Sequence, residues 1–256
     1  MRRAVQRSAS RCCTRGPTGS VGFAYTVGRT TVALDATAPR VRTEEHGLPI
    51  HGLLAAYDGW EVVGARERSL SAEADLGADP SVLDAFPFPH RLRLDVELEP
   101  GRLVVTTTLT PYGSRAVPVA FGFHPYFALP DTPRDQAVLA HGPMTRLLLD
   151  ERGLPTGGRE PVAARDAPLG DDTYDDLFGD LGEAPWFSLT GHRRRVTVRL
   201  LEGYTHLQLF APPDAPSVAI EPMTAPTDAL RTGEDLRVVT TPFTAAFAIE
   251  VEAIDQ

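Results

Sequence analysis

His90-Arg91-Leu92-Arg93-Leu94-Asp95-Val96-Glu97-Leu98 alternates ring, charged and aliphatic side chains, then Glu99-Pro100-Gly101 turns the chain. Leu103, Val105, Thr107 and Leu109 return at every second position. A period of two puts one face of a strand on a core and the other in water, so 90–110 reads as an antiparallel hairpin. Similar pieces recur on both sides of it. They are 22–27 with 30–34, 60–66 with 69–76, 117–127, 144–150, 186–190 with 196–201, 205–210, 218–223 and 237–251. Turn residues separate them, drawn from 22 Gly and 23 Pro. Helical periodicity is absent; 81–86 and 174–178 allow single turns at most. Strands that never alternate with long helices argue against a parallel Rossmann-type sheet. The expected fold class is all-β, a large antiparallel β-sandwich. Residues 21–256 are expected to form it as one domain, behind a basic segment, 1–20.

That first segment differs in chemistry from the rest. It holds five Arg (2, 3, 7, 11 and 15) and no acid, and the first carboxylate is Asp35. With a net charge of -9 for all 256 residues, its +5 leaves -14 on the remainder (-9 - 5 = -14). An Arg-rich, Ser-containing, acid-free start is what organelle transit peptides look like. The simpler expectation is a disordered segment or a misread start, since alternation begins abruptly at Val21.

Composition excludes several chemistries. An acidic chain lacks the basic surface that nucleic-acid binding needs to displace counterions. No run approaches the 18 or more apolar residues of a membrane span. There is no lysine, so lysine Schiff bases and the P-loop lysine are out. The two cysteines, Cys12 and Cys13, are adjacent, and the body has no thiol for a disulfide, a zinc site or a nucleophile. A cytoplasmic setting follows as the natural expectation. No G-x-G-x-x-G, Walker or G-x-S-x-G motif occurs, so no cofactor is expected. His46 and His51 share a loop but have no third ligand at a zinc-like spacing, so no metal is expected either.

A few polar residues stand inside apolar strand text. His124 lies in Phe121-Gly122-Phe123-His124-Pro125-Tyr126-Phe127, where an imidazole needs a hydrogen-bond partner. Glu221 follows Val218-Ala219-Ile220, where partial desolvation suits a general base. His51 ends Leu48-Pro49-Ile50-His51, and Gln208 alternates with Leu207 and Leu209. Asp175 and Asp176 look like loop acids capping a turn. Taken singly, each could equally be a satisfied structural polar group.

Together these segments resemble the aldose 1-epimerase (galactose mutarotase) family, in the family's order. His51-Gly52-Leu53, with Trp60 downstream, looks like its first substrate-histidine loop. Val117-Pro118 through His124-Pro125-Tyr126-Phe127 looks like the strand of its catalytic histidine. Tyr174-Asp175-Asp176-Leu177-Phe178 is similar to its sugar-binding aspartate loop, with Asp175 in the aspartate position. Leu207-Gln208-Leu209-Phe210 resembles its glutamine strand, and Ala219-Ile220-Glu221-Pro222 its catalytic glutamate segment. The resemblance implies a galactose mutarotase-like supersandwich and cofactor-free interconversion of the α and β anomers of a free aldose. His124 would be the acid toward the ring oxygen and Glu221 the base at the C1 hydroxyl. His51 would assist, and Asp175 and Gln208 would hold sugar hydroxyls. Such a partner is a monosaccharide, glucose- or galactose-like.

The sequence departs from the family where its members carry extra N-terminal strands and an Asn-Arg pair. The matching region falls near residues 15–20, contains no Asn, and leaves Arg15 out of register. The expectation is a shortened or mis-started member of reduced stability. Three alternatives remain open at this point. A hexose-6-phosphate mutarotase would need a cationic phosphate pocket. A non-catalytic carbohydrate-binding module would bind without accelerating anomer exchange. A glycoside hydrolase would need two carboxylates flanking the scissile bond.

Overall fold

In the computed structural model the described residues are 14–15, 21–22, 24–43 and 47–254. Two wholly antiparallel sheets dominate them. The nine-stranded sheet runs in the order Arg165–Pro168, Val138–His141, Trp186–Thr190, Arg194–Glu202, Phe243–Ala253, Arg102–Pro111, His90–Glu99, Ser69–Asp75, Glu61–Arg66. The six-stranded sheet runs Tyr126–Ala128, Ser217–Met223, His206–Ala211, Tyr174–Gly179, Met144–Leu149, Pro155–Val162. Helix is confined to single turns such as Pro80–Leu83 and Ala229–Thr232. No helix among the described residues is long and apolar enough to cross a membrane.

One face of each sheet meets in a shared core. Leu92, Val105, Leu109, Val198 and Phe247 from the larger sheet join Phe178, Leu207, Leu209, Val218 and Ile220 from the smaller. This is the antiparallel sandwich expected from alternating strands. The 90–110 hairpin is present as read, with Leu92 opposite Leu109 and Leu98 opposite Leu103. Its burial fades along its length: Leu92 is fully inside, whereas Leu98 beside the turn is 52% exposed.

Several expectations need correction. The stretch 117–127 is not one strand. Val117–Val119 pairs with Arg237–Val239, the chain then leaves the ladder, and only Tyr126–Ala128 rejoins a sheet. Pro118 and Pro125 supply no N–H, which breaks a continuous ladder. The stretch 237–251 is likewise interrupted between Val239 and Phe243, at Pro242. Tyr174–Gly179 is a strand and not a helical turn or loop, since pairing on both sides overrides its acidic text. Val138–His141, Pro155–Val162 and Arg165–Pro168 were not legible as strands. The second holds two Pro and two Gly and survives as the edge strand of its sheet, where a missing donor is tolerated. Thr14–Arg15 of the basic segment pairs with Val21–Gly22 just beyond it. The rest of residues 1–20, and His46, lie outside the described residues.

The departure of 120–125 from the ladder has a purpose in packing. The Phe123 N–H donates to the Pro222 carbonyl at 3.1 Å, and the Ile220 N–H to the Pro125 carbonyl at 3.3 Å. Thr224 clamps the same segment, its hydroxyl accepting from the Phe121 N–H at 2.9 Å. Gly122 makes this approach possible: a Cβ there would sit 2.6 Å from the Pro222 carbonyl oxygen. The Gly122→Ala variant is therefore expected to lose about 1–3 kcal/mol, as overpacked sites do. At roughly 2–4 °C per kcal/mol for a chain of this size, thermal unfolding should shift down by several degrees. An unshifted midpoint would show that the contact does not constrain the fold.

Candidate active site

The site lies on the face of the six-stranded sheet that points away from the core. Pairing register sets two rows across it. Leu177, Gln208 and Glu221 form one row; Asp175, Phe210, Ala219 and Tyr126 form the next. In each strand the neighbouring residues, such as Leu207, Leu209 and Ile220, turn inward and are buried. The period of two that builds the core thus also aims the polar groups outward.

Glu221 is nevertheless only 2% exposed, because irregular segments close over it. His124 comes from the segment clamped by Gly122 and Thr224 and brings its Nε2 to 3.1 Å from Glu221 Oε1. Both side chains are nearly excluded from solvent, at 8% and 3%. His51 approaches from the loop after Pro49, its ring centroid 6.0 Å from that of His124. Its backbone is left-handed, with φ 64°, a conformation costly for most non-glycine residues. On the adjoining strands Gln208 Nε2 donates to Asp175 Oδ1 at 2.7 Å.

These five residues line one pocket of about 330 Å³, open on one side, together with Ile50, Tyr126, Phe210 and Thr227. All five site residues singled out in the sequence are therefore brought together. The carboxylate next to Asp175 does something else. Asp176 turns to the opposite face of its strand, 3.7 Å from Arg146 Nη1, and burial pushes its carboxyl above the usual range. The strand geometry separates two acids that the sequence presents as equals.

Tyr126, Phe210 and Thr227 were not singled out. Phe210 could have been found, since it stands two residues beyond Gln208 on a strand and must share its face. Tyr126 stands two beyond His124, but the break in the ladder removes the simple parity. Thr227 belongs to the loop after Met223 and carries no sequence signal.

Chemically the site offers an imidazole and a carboxylate in contact, at the wall of a pocket sized for a small polar molecule. A hydrogen-bonded amide–carboxylate pair stands on the neighbouring strands. Among the described residues no cluster of His, Cys, Asp or Glu is arranged to hold a metal ion.

Comparisons with known proteins agree with this architecture. The chain is similar to a galactose mutarotase-like protein of Clostridium acetobutylicum, with TM-score 0.77 at 16% identity, over 98% of this chain and 79% of that one. It is similar to the galactose 1-epimerase of Lactobacillus acidophilus NCFM, with TM-score 0.69 at 18% identity, over 97% and 79%. A galactose mutarotase-like protein of Lactobacillus casei gives TM-score 0.71 at 21% identity, over 90% and 80%. At such identities these likenesses establish the fold. The search of curated proteins found no match. The family model for aldose 1-epimerase matches residues 25–241, which takes in the site-bearing strands of the six-stranded sheet and all five site residues. The chain belongs to the aldose 1-epimerase family.

Proposed function

We propose that the protein is an aldose 1-epimerase that interconverts the α and β anomers of a free aldohexose. The observation that carries this reading is the 3.1 Å contact between His124 Nε2 and Glu221 Oε1 at the wall of a sugar-sized pocket. Mutarotation requires a proton delivered to the ring oxygen and one removed from the C1 hydroxyl. Both oxygens are bonded to the same carbon, so acid and base must stand close together. In this reading protonated His124 donates to the ring oxygen while Glu221 takes the C1 hydroxyl proton. The C1–ring oxygen bond breaks, the aldehyde turns about the C1–C2 bond, and reversal of both transfers closes the other anomer. The two groups recover their protonation states on closure, so no cofactor is consumed. His51 assists at the ring-oxygen side, and Asp175 and Gln208 hold sugar hydroxyls. A cysteine-free body after residue 13 fits a cytoplasmic setting.

Each positioned acid or base is worth about 10²–10⁴-fold in rate. Polarimetry of freshly dissolved α-D-glucose and α-D-galactose should show accelerated equilibration. Glu221→Gln and His124→Ala should each lose about 10²–10⁴-fold of kcat. A folded, monodisperse wild-type chain without acceleration would remove the reading. Glucose 6-phosphate should be turned over less well than glucose; the reverse would favour the phosphosugar mutarotase.

The binding half of the site should respond differently. Asp175→Ala removes a charged acceptor worth roughly 1.5–3 kcal/mol, and Gln208→Ala a neutral donor worth about 0.5–1.5 kcal/mol. Both are expected to raise KM, Asp175→Ala by about tenfold or more, with kcat much less affected. A fall in kcat with unchanged KM would place these two residues in the chemistry instead.

A further inference from the structure

We propose that Tyr126 is a positioning residue for His124, and that its aromatic face favours the protonated imidazole. The proposal deepens the mutarotase reading and takes its catalytic meaning from it.

The geometry is specific. The Tyr126 ring stacks on the His124 ring, with centroids 4.6 Å apart and planes inclined by 23°. The phenol oxygen stands 3.5 Å from His124 Nε2, the same nitrogen that faces Glu221. Phe210, on the strand His206–Ala211, meets the imidazole edge-on at 6.3 Å and 76°. The imidazole is thus held by a ring face, a ring edge and a carboxylate. Tyr126 and Glu221 reach it from one ladder, since Tyr126 pairs with Ala219, two residues before Glu221.

Core packing does not account for this tyrosine. It is 48% exposed, on the edge strand of the six-stranded sheet. Its contact with His124 is a contact at the pocket wall. An acid that must give its proton to the ring oxygen has to start protonated. A cation over an aromatic face, within about 6 Å of its centroid, is attracted by the ring quadrupole. Titratable groups that face His124 include Glu221, His51 and Tyr126, and Asp175 lines the same pocket. Glu221 stabilises the imidazolium, and a charged His51 would oppose it. Tyr126 adds to the stabilisation without placing a further charge in the pocket. It also fixes the ring plane, and so the direction in which Nε2 points.

The sign follows directly. Stacking that favours the cation raises the proton affinity of His124, so removing the ring lowers it. The decisive measurement is an NMR titration of the His124 imidazole, assigned with His124→Ala. It compares wild type with Tyr126→Phe, Tyr126→Leu and Tyr126→Trp. In Tyr126→Leu the titration should move down by about half a pH unit, a roughly threefold loss of proton affinity. Tyr126→Phe keeps the face and should titrate as wild type. Tyr126→Trp, with the stronger face, should titrate at or above it. The alkaline limb of the kcat/KM profile should move with the imidazole in each variant. The proposal is overturned if Tyr126→Leu titrates as wild type, or if Tyr126→Phe falls as far as Tyr126→Leu. Because the titration needs no turnover, it separates the two ideas. A chain that shows the imidazole shift but does not equilibrate aldoses would remove the mutarotase reading and leave the stacking role standing.

Discussion

A carboxylate as buried as Glu221 is expensive unless something answers its charge, and the arrangement of the site follows from that constraint. Across its own ladder Glu221 faces Gln208, a neutral amide that offers no opposite charge. The answer arrives on a segment that leaves regular structure to reach it. Residues 121–125 lie against Pro222 and Ile220, and Gly122 lets them come close. Thr224 locks the segment in place by accepting from the Phe121 N–H and donating to the Phe121 carbonyl. His124 is delivered to Glu221 by this clamp. The two form a carboxylate–imidazole pair 3.1 Å apart in a nearly dry place.

The pocket therefore has two halves of different origin. Asp175, Gln208, Phe210 and Glu221 are fixed by register on three adjacent strands. A slip of one residue would turn Gln208 into the core and bring Leu207 or Leu209 to the pocket, so register is held by hydrophobic burial itself. His51 and His124 come from irregular chain, one held in a left-handed backbone conformation and the other by the clamp. A regular half fixed by sheet register and an irregular half supplied by loops is a common arrangement of pockets on a rigid scaffold.

What the sequence made legible follows the same division. The strands of 90–110 were readable because period two is a local property, and 218–223 because it is a short apolar run. Glu221 and His124 stood out as polar groups in apolar text. The contact between them was not derivable from spacing, since it depends on a close backbone approach between segments a hundred residues apart. Tyr174–Gly179 was misread because its acids resemble turn caps, while its strand character comes from neighbours on either side. Pro155–Val162 was missed because Pro and Gly mask a strand that only an edge position permits. The choice of Asp175 over Asp176 came from family order, and the alternation of the strand gives it a physical reason. Tyr126 carries no such signal, because its stacking on His124 depends on where the chain rejoins the sheet at Tyr126.

The electrostatics of the wall bear on what the pocket can hold. The described lining residues carry two carboxylates, Asp175 and Glu221, and two imidazoles, and no guanidinium. One of those imidazoles, His124, is already engaged by Glu221. Two unit charges about 4 Å apart interact by roughly 4 kcal/mol at an effective dielectric near 20. A phosphate dianion placed against this wall would meet like charge from both carboxylates and would need cations to offset it. A neutral sugar has no such requirement. Its hydroxyls can donate to Asp175 and to the acid–base pair, and accept from Gln208 if that amide leaves Asp175. That exchange replaces one hydrogen bond with others of similar worth, so the Asp175–Gln208 contact keeps both side chains satisfied and aligned while the pocket holds no sugar. The described lining thus offers hydrogen-bond donors, acceptors and two carboxylates to whatever the pocket holds.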